Sequence, residues 1–164
     1  MIHDDEVANK PSLRSFVVTD LPQNILGEIV RFKIQVTNQG GYSASSCEFL
    51  SVVIADIPAT PTNGPVSDKS FTTDQRIRIT YDEPYSGGSI LINYEVVMDD
   101  GEGGGFRTVA GGSLGTHLTT FAIISSNATD GGIVADINRG FTYRFKYRAQ
   151  NVIGWSDYSP VSYI

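Results

Sequence analysis

The sequence predicts an all-β chain folded as an antiparallel β-sandwich, and three observations lead there. Turn formers and β-branched residues are abundant, with 17 Gly and 7 Pro among many Thr, Ser and Val. Gly supplies positive φ in tight turns, and β-branched side chains suit a pleated sheet. Apolar and polar residues alternate with a period of two in several short runs, the pattern of half-buried strands. A stretch early in the chain also returns near its end, so the strands come in repeated sets.

At 164 residues, with 40% apolar and 18% charged residues, the chain has a globular composition. Its length suits one ordinary domain, or one small domain and a piece of another. A formal charge of −6 repels a phosphate backbone and the sequence shows no Lys/Arg cluster interleaved with aromatics to offset it, which argues against a nucleic-acid partner. No run of about 18 apolar residues is present, so no membrane insertion is expected within this segment. The start, Met1-Ile2-His3-Asp4-Asp5-Glu6, lacks the basic and apolar regions of a signal peptide and reads as internal or cloned. Cys47 is the single cysteine, so no intrachain disulfide forms; the thiol reads as packed or unused rather than reactive.

The repeat is partial. Gly27 to Ser46 aligns without a gap on Gly140 to Ser159, with identity at Gly27/Gly140, Arg31/Arg144, Phe32/Phe145, Lys33/Lys146, Asn38/Asn151, Gly41/Gly154, Ser43/Ser156 and Ser46/Ser159. Val18-Thr19-Asp20-Leu21 echoes Val134-Ala135-Asp136-Ile137 just upstream. A long strand-like stretch from Pro58 to about Ile124 precedes the second copy, and only some twenty residues precede the first. Copy one therefore reads as a unit without its front half.

Taken in order, the first unit places Val30, Phe32, Ile34 and Val36 on an inward face. Arg76 to Tyr81 alternates in the same way, and the run from Ile90 to Met98 sets Ile90, Ile92, Tyr94, Val96 and Met98 together. Asp99-Asp100-Gly101 and Gly103-Gly104-Gly105 supply hairpin chemistry before Phe106 to Val109, and Leu118 to Ile124 reads as another strand. In the second copy Tyr143, Phe145, Tyr147 and Ala149 face one way, with Arg144, Lys146, Arg148 and Gln150 opposite. About seven short strands are expected after Pro58, and such strands need a second sheet to cover them.

The order of these residues resembles a fibronectin type III domain. The resemblance rests on Pro58-x-x-Pro61 opening the first strand, Tyr81-x-x-Pro84, Gly87-Gly88-x-Ile90-x-x-x-Tyr94-x-Val96, Tyr143-x-Phe145-x-Tyr147-x-Ala149-x-Asn151, Gly154-Trp155-Ser156 and Ser159-Pro160. It implies an immunoglobulin-like antiparallel β-sandwich, with an additional partial sandwich at the N-terminus. The expected organisation is a tail over 1–12, the C-terminal half of such a domain over 13–55, and a complete domain over 56–164. The resemblance also implies that Tyr143 is the family's tyrosine corner, a hydroxyl tied back to the backbone, with a structural role. Tyr81 stands where the family usually has tryptophan, and Val30 stands where the first unit would have its corner tyrosine.

Strands without their covering sheet cannot remain open. An apolar face of about 1,000 Å² left in water would cost about 25 kcal/mol at about 25 cal/mol per Å², more than the roughly 5 to 15 kcal/mol that holds a whole domain. Either upstream strands complete the first unit or another chain donates them across its edge. Between the units, the spaced prolines from Ala55 to Pro65 predict a short, fairly stiff joint.

The remaining motifs have limited chemical content. Asn127-Ala128-Thr129 fits the N-glycosylation acceptor pattern, which is used only in a secretory compartment. Asp99, Asp100 and Glu102 miss the alternating spacing of a Ca²⁺ loop and read as solvated hairpin carboxylates. Arg144, Lys146 and Arg148 form a basic stripe that an acidic partner could use, although Glu95 and Asp99 on the neighbouring strand make a cross-strand ladder the preferred reading. His117 lacks a second imidazole nearby in sequence and reads as a loop residue. Gly101 to Gly105 and Gly111-Gly112 lack the strand-loop-helix setting of a phosphate cradle and read as hairpin and bulge turns. No nucleophile elbow or placed carboxylate pair points to catalysis, so no catalytic residue, metal or cofactor is expected.

The expected function is a non-catalytic structural, adhesive or protein-interaction module of a larger tandem-repeat protein at the cell surface or outside the cell. Its expected partners are proteins, neighbouring domains of the same protein, or strand-donating copies of itself. The alternatives are a self-assembling fibre subunit, an intracellular cytoskeletal or ciliary module, and an accessory domain of a large enzyme. No Arg-Gly-Asp tripeptide is present, and a fold alone assigns no ligand.

Overall fold

The computed structural model describes residues 25–42, 47–125, 133–134 and 137–164, together with residues 12, 15, 17–18 and 21–22. Among the described residues the strands are β1 (Ile29–Phe32), β2 (Thr37–Asn38), β3 (Gly41–Tyr42), β4 (Leu50–Val53), β5 (Val66–Ser67), β6 (Arg76–Thr80), β7 (Asn93–Met98), β8 (Arg107–Gly111), β9 (Phe121–Ser125), β10 (Ile133–Val134), β11 (Arg144–Gln150) and β12 (Ser162–Tyr163). Among the same residues a 3-10 turn, Gly112–Leu114, follows β8.

The strands form two four-stranded sheets, ordered β10-β9-β6-β5 and β12-β11-β7-β8, and two two-stranded pairs, β1-β4 and β2-β3. Pairing is antiparallel except between β10 and β9, where Ile133 meets Ile124 and Val134 meets Ser125 in parallel. A register shift between Val96 and Val97 bends the β7–β8 hairpin. The period of two carries through to packing: β6 alternates part-buried and buried positions, and so does β11. Ile77, Ile79, Ala122 and Ile124 of one sheet meet Val96, Met98, Phe145 and Ala149 of the other in one core.

Aromatic rings fill the wider part of that core. Tyr81 packs on Tyr147, with ring centroids 4.6 Å apart, and edge-on against Tyr94 at 5.5 Å. Its hydroxyl donates to the Thr119 carbonyl at 2.8 Å, so a tyrosine here satisfies its polar end without leaving the interior. Burial drives the Tyr81 hydroxyl strongly upward in pKa, with Tyr94 and Tyr147 adding to the shift.

Several sequence expectations need correction. Pro58 and Pro61 are buried but lie outside any strand, and the first strand of the larger unit starts only after Pro65. A proline has no N–H to give a ladder, which explains why the spaced prolines pack without pairing. Ile34 and Val36 do not face inward; they are 72% and 66% exposed. Here β1 ends at Phe32 and the chain instead pairs Ile34 with Cys47 through the Cys47 N–H at 3.2 Å. Ile90 also lies outside the core at 78% exposed, because β7 begins at Asn93. Leu118 is exposed and precedes β9, which starts at Phe121. Cys47 is an exposed free thiol that accepts the Ile34 N–H at 3.0 Å.

Candidate interaction surface

The outward face of β11 carries Arg144, Lys146 and Arg148, and β7 lies beside it in register, with Arg148 opposite Glu95. Arg148 pairs with Glu95 at 2.6 Å, and Arg144 pairs with Asp99 at 2.7 Å. The preferred ladder therefore forms, but its acids are buried beneath it, Glu95 at 6% and Asp99 at 1% exposed. This corrects the reading of Asp99 as a solvated hairpin carboxylate. Asp99 accepts the Arg144 N–H at 2.7 Å and the Gly101 N–H at 3.2 Å. Asp100 is the exposed one, and it accepts the Glu102 and Gly104 N–H groups at 3.0 and 2.9 Å to shape the turn.

The electrostatics follow from these contacts. Burial pushes the Glu95 carboxyl upward, but hydrogen bonds from Tyr158, Thr108 and Arg148 outweigh it and hold the group below its ordinary value. Asp99 behaves alike: burial raises it, and the backbone and side chain of Arg144 with the Gly101 N–H bring it lower. The Tyr158 hydroxyl, donating to Glu95 at 2.8 Å, is pushed up to about 12 by burial and then by Glu95.

Aromatic rings alternate with these cations. Arg148 lies over Trp155 and Tyr158, with guanidinium-to-centroid distances of 4.7 and 4.6 Å. Lys146 lies between Tyr158 and Phe106, at 4.5 and 4.4 Å, and Arg144 reaches Phe106 at 5.2 Å. The stack Trp155, Arg148, Tyr158, Lys146, Phe106, Arg144 thus runs across the sheet, held by cation–π attraction. Lys146 is the member with no ion pair among the described residues.

Two serines set the rings in place. Ser156 gives its N–H to the Ala149 carbonyl at 2.8 Å and accepts the Ala149 N–H on Oγ at 3.1 Å. Ser159 does the same with Tyr147, at 2.8 and 3.1 Å. This spacing lays Trp155 and Tyr158 onto the cationic face. Sequence reasoning found the basic stripe but missed its aromatic half, although the Ser156-x-x-Ser159 spacing carried the signal.

The other singled-out residues lie elsewhere. The Tyr143 hydroxyl accepts the Asn138 N–H at 2.7 Å, and Tyr143 is 1% exposed. Asn127 lies outside the described residues. His117 is a half-buried loop residue whose Nε2 lies 2.9 Å from the Phe121 carbonyl; burial lowers its pKa and that carbonyl partly opposes the shift. Gly111 and Gly112 both have positive φ, at the end of β8 and the start of the 3-10 turn. Among the described residues no three His, Cys, Asp or Glu side chains gather as a metal site, and no helix is long and apolar enough to cross a membrane.

A second surface joins the first strands to the larger unit. The Ile54 carbonyl accepts the Gly27 N–H at 2.8 Å, which extends the β1–β4 ladder to the joint, and Asp56 N–H donates to the Gly87 carbonyl at 2.8 Å. Asn151, 1% exposed, donates from Nδ2 to the Asp56 carbonyl at 2.6 Å and to the Ser86 carbonyl at 2.8 Å. Its Oδ1 accepts the Ile153 N–H at 2.9 Å. Asn38, its counterpart in the first repeat, closes the same kind of turn on the Gly40 N–H at 2.8 Å. Gly88 has φ 86°, and a Cβ there would run into the Gly27 nitrogen, so the two segments meet backbone to backbone.

No protein-family model matches the chain. In fold it is similar to domains A168-A170 from titin, with a TM-score of 0.54 and 21% identity over 77% of this chain and 37% of that one. It is also similar to a fourth fibronectin type III domain from human, with a TM-score of 0.52 and 22% identity over 69% of this chain and 82% of that one. The chain thus spans little more than a third of the titin structure's length. With its two four-stranded sheets closed around one core, and by its likeness to these structures, the chain has the fibronectin type III fold.

Proposed function

We propose that this chain is a non-catalytic structural and protein-interaction module of a larger tandem-repeat protein, acting at the cell surface or outside the cell as a spacer between partners. The observation that carries the reading is the joint. Across the boundary Gly27 and Gly88 meet backbone to backbone, and Asn151 fixes Asp56, where the larger unit begins, to Ser86 at 2.6 and 2.8 Å. Close backbone packing across the boundary, with the start of the larger unit held by a buried amide, resists bending at that point, as a spacer requires. In this reading residues 13–55 are the back half of one module and 56–164 a complete one, with Tyr143 as its tyrosine corner. Backbone ¹⁵N relaxation tests it: amides of β1 and β4 should share one rotational correlation time with those of β7 and β11. Separate, faster tumbling of β1 and β4 would contradict a stiff spacer. For the compartment, removal of an N-linked glycan from Asn127 in material from its natural source should lower the mass, and an unmodified Asn127 counts against the secretory route.

One observation favours a second reading, a self-assembling subunit completed by strand donation. In the β1–β4 register Val30 faces Val52 and Phe32 faces Leu50, so one side of this pair is wholly apolar, and Leu50 is 65% exposed. Sedimentation equilibrium would show reversible dimers that disappear when residues 13–55 are deleted.

A further inference from the structure

A groove of about 510 Å³ opens next to the turn that follows Tyr81, lined among others by Glu83, Ser89, Ile90, Leu91, Tyr94 and Leu118. Tyr94 is 2% exposed. Its aromatic neighbours Tyr81 and Tyr147 each donate a hydroxyl to a main-chain carbonyl at 2.8 Å. The Tyr94 hydroxyl makes no hydrogen bond to any described residue, and it is not among the enclosed polar atoms without a partner, so its oxygen reaches the protein surface. Tyr94 lines the groove, which is where that open oxygen is offered. Four arginines among the described residues, Arg78, Arg139, Arg144 and Arg148, are paired with acids. Asp82 and Glu83, exposed at the same turn, have no such pair. The rim beside them is apolar and open, with Ile90 and Leu118 both largely exposed.

We propose that this groove receives a lysine or arginine side chain from a partner protein, with its aliphatic stem along Ile90, Leu91 and Leu118 and its cationic head donating to Glu83 and the Tyr94 hydroxyl. The chemistry selects this class. Lysine and arginine are donors with no acceptor, and they lay an apolar stem on an apolar wall while keeping the charge at its edge. An anion would meet Asp82 and Glu83, and a purely apolar group would leave both the carboxylate and the phenol without a partner. Tyr94 stays neutral near physiological pH, since burial, and then Glu83, push it up to about 12; its oxygen therefore offers a lone pair to the head group. Ser86 and Gly88 of the joint border the groove, but the carboxylate, the phenol and the apolar wall that would hold the cation make none of the joint's contacts, so Glu83→Gln and Tyr94→Phe test the groove without touching the spacing role.

The test is an amide-shift titration of the full chain with the peptide acetyl-Ile-Lys-Ile-amide and its norleucine analogue, which keeps the stem and removes the charge. The lysine peptide should give saturable shifts centred on Glu83, Ser89, Ile90, Tyr94 and Leu118. The norleucine peptide and Glu83→Gln should each weaken binding about three- to fivefold, the scale of an exposed ion pair. Tyr94→Phe, which keeps the ring in its packing, should weaken it severalfold. Equal binding of the two peptides, shifts centred elsewhere, or no saturable shift at about 1 mM peptide would each overturn the proposal.

Discussion

Glu95 and Asp99 are carboxylates buried under the outer face of a sheet, and each depends on one arginine. Arg148→Met keeps much of the stem that lies against Trp155 and Tyr158 but leaves Glu95 buried beside only neutral donors. The expected cost is about 3 to 5 kcal/mol, the penalty for an orphaned buried charge, and denaturant melts would measure it. Tyr143→Phe removes the acceptor for the Asn138 N–H and should cost about 1 kcal/mol or more. The pH dependence has a definite sign. Glu95 and Asp99 titrate lower in the fold than in the open chain. Their contribution is complete above the ordinary carboxylate pKa of about 4 and is lost as pH falls through their lower folded values. His117 is also depressed, so it too favours the fold above about pH 6.5 and loses that contribution on acidification. Melting temperature should therefore fall from pH 7 towards pH 3, and a rise over that range would contradict these assignments.

At the scale of elements, the joint rests on backbone contacts that side chains cannot replace. Gly88→Ala places a methyl group against the Gly27 nitrogen at a residue with φ 86°, a conformation that costs an L-residue about 1 kcal/mol or more before any clash. The variant should free β1 and β4 to reorient while the core of β6, β7, β9 and β11 keeps its amide shifts. Loss of the whole fold would show instead that the joint is part of the core. Strand periodicity was legible because the period of two is local: β6, β7 and β11 lie where Ile77, Val96 and Phe145 indicated. Strand ends were not, because the run Ile90 to Met98 continues the alternation past the point where β7 starts at Asn93, and only pairing decides where a ladder stops. The stripe Arg144, Lys146, Arg148 was readable for the same local reason. Its aromatic half was not, because Phe106, Trp155 and Tyr158 reach it from other segments. The burial of Asp99 was hidden too: an acid in a glycine-rich turn looks solvated until the strand carrying Arg144 is laid over it.

For the whole molecule, the fibronectin type III fold and the clamped joint together support a spacer in a longer array. The exposed apolar side of β1 and β4 supports further strands that cover it. Covering that side would also raise stability, since each apolar Å² removed from water contributes about 25 cal/mol; a longer natural chain should accordingly protect the β1 and β4 amides from exchange better than the 164-residue chain does. The measurement that bears most directly on the proposed role is the intact mass of the natural polypeptide in its source, with any glycan retained. The account predicts a mass far above the 17.8 kDa of this sequence. A mass near 17.8 kDa would contradict it and leave strand exchange between copies as the way the first unit is completed.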